Sequence, residues 1–434
     1  MNYFDVLVVI SAGIALIALY QLRPCALILA GNNLLVSRAL SAIDHSGRPS
    51  NQRFLPAIVF SEENLQTAAT ILTISLATLF IFFLVLPPQR KHITPTAPRI
   101  PQFFLVAVAI YLVAVVGSTA TMFTVAYGSS GRIRYDLELG GAHAFLCSLL
   151  IYELARRRLL GELTARRAFS IAFLIFGATG FARGGTGLTT GNLVASAILL
   201  LPRGSTSRLR DSARTGGVIL SIIALSFVVR GVRTAIASEG THAVGAFIEG
   251  VLEMEDQRNE TGVGAENVAN ASQSAAHMLE CITLYDGGVS RQWRSIYSVV
   301  EYTLVPSFFT NWFGWTRSIE PAIELTQHFI HGGGVNVLGE LYWNGGWLCV
   351  VIVATAISLF CSIIDRHCWR SPFWLMMVAQ FAPSFLMGYG YGFPQVARGA
   401  INGLLAAGCY VTFAALRGRA PDRQGSVRGP LEVG

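Results

Sequence analysis

At 434 residues, with 53% hydrophobic and 13% charged side chains and a mean hydropathy of +0.52, the chain is far more apolar than a water-soluble domain of its length, which makes lipid its natural solvent. Its net charge of +7 would suit a nucleic-acid partner, but the positive residues fall between apolar stretches, so they report topology and exclude that partner. The pattern does not alternate in short strands, as a membrane barrel would.

The first residues, Met1 to Asp5, carry no basic region and no small-residue cleavage site follows, so Phe4 to Tyr20 reads as a retained first span. Further spans follow at about 66–86, 103–127, 141–155, 168–181, 190–202, 217–235, 345–364, 372–390 and 398–416, several of them near the ~20 residues a helix needs to cross a bilayer. Pro24 to Ala42 is apolar but carries Asn32, Asn33 and Arg38, which leaves it as an eleventh span, a re-entrant piece or an interfacial helix. The expectation is an all-α polytopic membrane protein with about 10–11 transmembrane helices.

The segments 87–102, 156–167, 203–216, 365–371 and 417–434 collect most of the arginines and Lys91, the sole lysine. The short loops opposite hold only Arg132, Arg134, Arg183 and Arg398. By the positive-inside rule the first set is cytoplasmic, and so is the N-terminus unless Pro24 to Ala42 crosses. Four regions result: an N-terminal bundle 1–235, a large outer loop 236–344, C-terminal spans 345–416 and a polar tail 417–434. The cysteines, mostly in apolar stretches, imply no disulfide framework.

The outer loop is much longer than the ~15 residues of an ordinary connection. Helical patterning at His242 to Met254 and Ala265 to Leu284, and aromatics such as Trp293, Phe309 and Trp312, predict an ordered, partly helical segment rather than a tether.

Arginines recur along the outer side: Arg183 within Ala182-Arg183-Gly184-Gly185, Arg291 and Arg294 around Gln292-Trp293, Arg317, and Arg398 before Gly399. Charges at membrane depth cost ~2.5–3.5 kcal/mol and normally have partners. Guanidinium matches phosphate bidentately, so the set is a candidate diphosphate site without metal; snorkelling, or pairing with Glu239, Glu249 or Glu320, is the plain alternative. His277, Glu280 and Asp286 form a possible polar cluster, with no paired spacing that suits a metal.

The densest motif is His331-Gly332-Gly333-Gly334-Val335-Asn336, continuing through Glu340 to Asn344-Gly345-Gly346. The glycines allow a tight turn whose N–H groups would favour an anion. Asn336, Glu340 and Asn344 recur every four residues, so a helix places them on one face, expected just above the membrane. A carboxylate between two amides, beside His331, suits binding and deprotonating a sugar hydroxyl. An ordinary wetted helix end is the bland alternative.

Leu284-Tyr285-Asp286-Gly287, Thr303-Leu304-Val305-Pro306-Ser307 and Gly332-Gly333-Gly334 to Glu340-Leu341-Tyr342-Trp343-Asn344-Gly345-Gly346 resemble bacterial O-antigen and exopolysaccharide repeat-unit polymerases of the Wzy type, over about residues 180 to 416. The resemblance implies a GT-C-like fold in the bacterial inner membrane, with the large loop in the periplasm. It implies transfer of a growing glycan from undecaprenyl diphosphate to a lipid-linked repeat unit, without metal or cofactor. Glu340 or His331 would handle the acceptor proton, and Arg183, Arg291, Arg294, Arg317, Arg398, Asn336 and Asn344 would bind substrate. A chain-length regulator and a flippase are the implied partners. An O-antigen ligase, whose family shares the architecture and a loop histidine near an asparagine, is the second expectation, and a transporter or flippase the third.

Overall fold

The computed structural model describes residues 2–46, 61–87, 100, 105–111, 141–177, 186–201, 208–239, 265–294, 298, 324–325, 328, 335–388 and 392–418. Among these there are helices and no strands. In chain order they are α1 (Tyr3–Gln21), α2 (Pro24–Ser46), α3 (Glu62–Val85), α4 (Gly141–Leu159), α5 (Ala165–Ala172), α6 (Thr186–Leu200), α7 (Arg208–Glu239), α8 (Ala265–Asp286), α9 (Val337–His367), α10 (Pro372–Gly388) and α11 (Phe393–Gly418). A π-helical turn, Phe173–Gly177, continues α5.

Among the described residues, four helices are long and apolar enough to cross a membrane: Tyr3–Gln21, Pro24–His45, Glu62–Val85 and Val337–His367. Their outward faces say what surrounds them. On α1, Phe4, Leu7 and Ile14 are buried while Val9, Ile10, Leu16 and Ile17 are exposed; on α9, Leu348, Val351 and Ile352 are exposed as well. A helix apolar on both its inner and its outer face is stable only where the outer solvent is also apolar. The chain is therefore a helical membrane protein. The predicted span 103–127 lies mostly outside the described residues, and α6 and α10, at 15 and 17 residues, are shorter than a full crossing.

The stretch left open after the first span is a full helix. A two-residue turn through Leu22, whose φ is 58°, reverses the chain, and Ser41 Oγ near the end of α2 donates to Asp5 Oδ1 at the start of α1 at 2.7 Å. The polar residues that lowered its hydropathy face neighbours: Asn32, Asn33, Ser37 and Ser41 are buried, and Asn33 Nδ2 donates to Leu29 O and to Ser75 Oγ on α3. Only Arg38 of the three residues that raised doubt is exposed. With α2 as long as a span, the N-terminus lies at the opposite end of the bundle from Arg366, where a single crossing would have put them together.

That end is fastened by a buried acid. Asp365, near the end of α9, accepts from the N–H groups of Cys25 and Ala26 at 2.9 and 2.8 Å, so a carboxylate from one helix caps the positive N-terminus of another. Trp369 Nε1 donates to Leu22 O, and Arg23 donates to Phe83 O at the end of α3. On α4, Glu153 accepts two bonds from Arg156 and one from Arg157, at 2.8 to 2.9 Å. Asp365 and Glu153 are thus both supplied with donors, as lipid and protein interiors demand.

Candidate functional site

The motif around Glu340 forms the first two turns of α9. Asn336 is the N-cap: its Oδ1 accepts from the N–H groups of Leu338 and Gly339, and its Nδ2 donates to Ser274 on α8. The helix then runs to Asn344 and breaks. Gly345 and Gly346 leave helical geometry, with Gly346 at φ 60° and ψ −148°. A side chain at Gly346 would be strained by that φ and would also meet Tyr285, its Cβ 2.4 Å from the hydroxyl.

A break strands carbonyls, and in lipid each stranded carbonyl is costly. The loop that follows α8 fills the gap. Arg291 N–H donates to Trp343 O and Trp293 N–H to Asn344 O, both at 3.1 Å, while Trp343 Nε1 donates back to Val289 O at 2.8 Å. The segment Gly287 to Arg294 is thereby fixed against the interruption, and α8 lies alongside α9 in the same direction, with Ser274 beside Asn336 and Asp286 bonded to the Tyr342 hydroxyl at 3.0 Å.

This arrangement brings together two of the residues singled out by sequence. Arg291, 1% exposed, reaches Glu324 at 3.3 Å and lies 5.2 Å from the Trp343 ring centroid. Its partner is a glutamate of the large loop, but not Glu239, Glu249 or Glu320, the three expected for such pairing. Glu340, 0% exposed, accepts from the N–H of Phe393 through Oε2 at 2.6 Å, so it sits at the N-terminus of α11 as Asp365 sits at that of α2.

The structure places the predicted polar stripe inside the protein. Asn336, Glu340 and Asn344 are all buried. Both amides serve the backbone: Asn336 caps the helix and Asn344 Nδ2 donates to Glu340 O at 2.7 Å. A wetted helix end, the bland alternative, is overturned. Arg294 is exposed at the end of the loop, and Arg398 is half-buried in the second turn of α11, the helix that Glu340 caps. Arg183, Arg317, His331 and the Gly332-Gly333-Gly334 turn lie outside the described residues.

One acid that sequence reasoning left in a loose cluster stands out. Glu280, on α8, is 0% exposed, and neither carboxyl oxygen has a hydrogen-bond partner. Burial alone pushes its carboxyl up to about 8. The neighbouring Cys281 thiol, itself pushed up by burial, lies within electrostatic reach of Glu280, Glu340 and Arg291. Among the described residues no group of His, Cys, Asp and Glu is arranged to hold a metal ion. Comparison with family models, curated proteins and solved structures gives no match.

Proposed function

We propose that the chain is a glycosyltransferase of the inner membrane that joins undecaprenyl-diphosphate-linked oligosaccharide repeat units into O-antigen or exopolysaccharide on the periplasmic face. The observation that carries the reading is the interrupted helix at Gly345-Gly346, where the Arg291 loop and the Glu340 turn are locked together by backbone hydrogen bonds. Non-helical backbone at membrane depth is tolerated where protein buries it or where it lines a site. Here it sets a guanidinium and a carboxylate on adjoining elements, the two charges that departure of a diphosphate and activation of a hydroxyl require.

In this reading Arg291, with Arg183, Arg294, Arg317 and Arg398, stabilises the leaving diphosphate, exchanging Glu324 for phosphate oxygens. Glu340 and His331 are the sequence candidates for the acceptor proton. The bond from Phe393 N–H ties the Glu340 carboxylate to the start of α11, which suits positioning of α11 and Arg398 better than proton transfer. Asn336 and Asn344 shape the turn that carries Glu340. A chain-length regulator and a flippase are the partners such an enzyme would need.

Transport is the second reading, because a broken helix with buried polar groups is also how transporters build midplane sites. Reconstitution of the full chain with an undecaprenyl-diphosphate-linked repeat unit separates them. A ladder of polymer supports the proposal; transfer of the glycan to lipid A core alone identifies a ligase; movement across the bilayer without new bonds identifies a transporter.

A further inference from the structure

We propose that Glu280 is the proton acceptor of this site, taking the proton of the acceptor sugar hydroxyl during glycosyl transfer. The inference rests on the glycosyl-transfer reading and assigns a residue within it.

Among the described residues, the other buried acids all have donors. Asp365, Glu153 and Glu340 each accept from N–H donors, as buried carboxylates in stable folds do. Glu280 is the exception among them: it is wholly enclosed and both its oxygens are unsatisfied. Leaving such a group unpaired destabilises the fold, and an apolar residue would fill the same space on α8 without that cost. A carboxyl kept there at such expense fits a role in which its partner arrives with the substrate.

Its position fits that role. Glu280 lies on α8 between Ser274, which is bonded to Asn336, and Asp286, which is bonded to Tyr342, so the free acid sits on the stretch of α8 that runs along the first turns of α9. Arg291, on the loop that follows α8, is as deeply buried as Glu280. The helices packed against α8 are α2, α3 and α9. Their acids and bases nearest the loop end of the bundle, Asp44, His45, Glu62, Glu63 and Glu340, contribute nothing to the Glu280 shift, which burial alone produces. A carboxyl raised to about 8 is a far stronger base when ionised than an ordinary glutamate, and bases poised near the working pH transfer protons best.

The step balances without any further reactant. The acceptor O–H bond breaks and its proton passes to a Glu280 oxygen, while the acceptor oxygen uses its electron pair to bond to the anomeric carbon of the donor. The bond from that carbon to the lipid diphosphate breaks, and its electrons leave with the diphosphate.

Dicyclohexylcarbodiimide, which attaches to protonated carboxyls in apolar surroundings, provides a test on the wild-type chain in lipid vesicles. The adduct should map to Glu280 and form more slowly when an undecaprenyl-diphosphate-linked repeat unit is present, and polymer synthesis should fall in proportion to labelling. Glu280→Gln should insert and elute normally, take no adduct and make polymer at least about a hundredfold more slowly, with Glu280→Asp between the two. No adduct at Glu280, an adduct that leaves synthesis intact, or full synthesis by Glu280→Gln overturns the proposal. If the wild-type chain itself makes no polymer, the glycosyl-transfer reading fails, and this inference with it.

Discussion

Glu340 Oε2 accepts the backbone N–H of Phe393, 53 residues further along the chain, at 2.6 Å. This one bond joins the first turns of α9 to the start of α11, and Gly392 makes room for it: its φ is 93°, and a Cβ there would lie 2.4 Å from the same oxygen. Asp365 does the equivalent for α2 from the other end of α9. One helix therefore positions two others through buried acids at their N-termini.

Gly392→Ala should accordingly push Glu340 off Phe393 and strain the backbone, at about 1–3 kcal/mol. Thermal unfolding of the purified protein checks this. An unchanged transition would mean that the contact does not hold α11.

Glu340→Gln should cost about 1–2 kcal/mol of stability by weakening a charge-assisted bond, and should slow polymer synthesis through misplacement of α11. Polymer rate and unfolding temperature, measured on the same preparation, should fall together. Lost synthesis with unaltered stability would instead make Glu340 the base.

Arg291 has a carboxylate partner, so its role can be separated from simple pairing. Glu324→Gln should remove the ion pair while leaving Arg291 buried, and synthesis should be mildly affected. Arg291→Ala should abolish it, with Arg291→Lys recovering only part because the bidentate geometry is lost. Equal loss in Glu324→Gln and Arg291→Ala would reduce Arg291 to a structural ion.

The Glu280 carboxyl gives stability a pH dependence of definite sign. Its folded value of about 8 lies above the ordinary 4.5, so the folded state holds a proton that the unfolded chain releases. The stability present at low pH should therefore fall as pH rises from about 5 through about 8, by up to about 5 kcal/mol. Glu280→Gln should flatten that slope in thermal unfolding across the range. A variant with the wild-type slope would show that Glu280 does not titrate there.

Much of the helical layout was legible because apolar stretches must be helices in lipid. The first span, Phe4 to Tyr20, and the span at 345–364 fall within α1 and α9, and the span at 66–86 ends one residue beyond α3. The site was less legible, for local reasons. Asn336 reads as a ligand by its spacing from Glu340, yet an asparagine just ahead of an apolar helical run is equally an N-cap, and its bonds to Leu338 and Gly339 show the cap. Gly345-Gly346 was visible, but whether two glycines end a loop or interrupt a helix depends on the Arg291 loop that satisfies the stranded carbonyls. Asn32 and Asn33 depress the hydropathy of α2 because a sum over residues cannot know that neighbouring helices cover them. Nothing in the letters around Glu280 says that its surroundings offer no donor.

The central claim is that this chain forms glycosidic bonds at the expense of a lipid diphosphate. The direct measurement is to follow free undecaprenyl diphosphate and glycan length together, by mass spectrometry, as the reconstituted protein consumes an undecaprenyl-diphosphate-linked repeat unit. The account predicts one lipid diphosphate released for each repeat unit added, with synthesis lost in Arg291→Ala. Repeat units that remain wholly lipid-linked at their original length, with no diphosphate released, would contradict it.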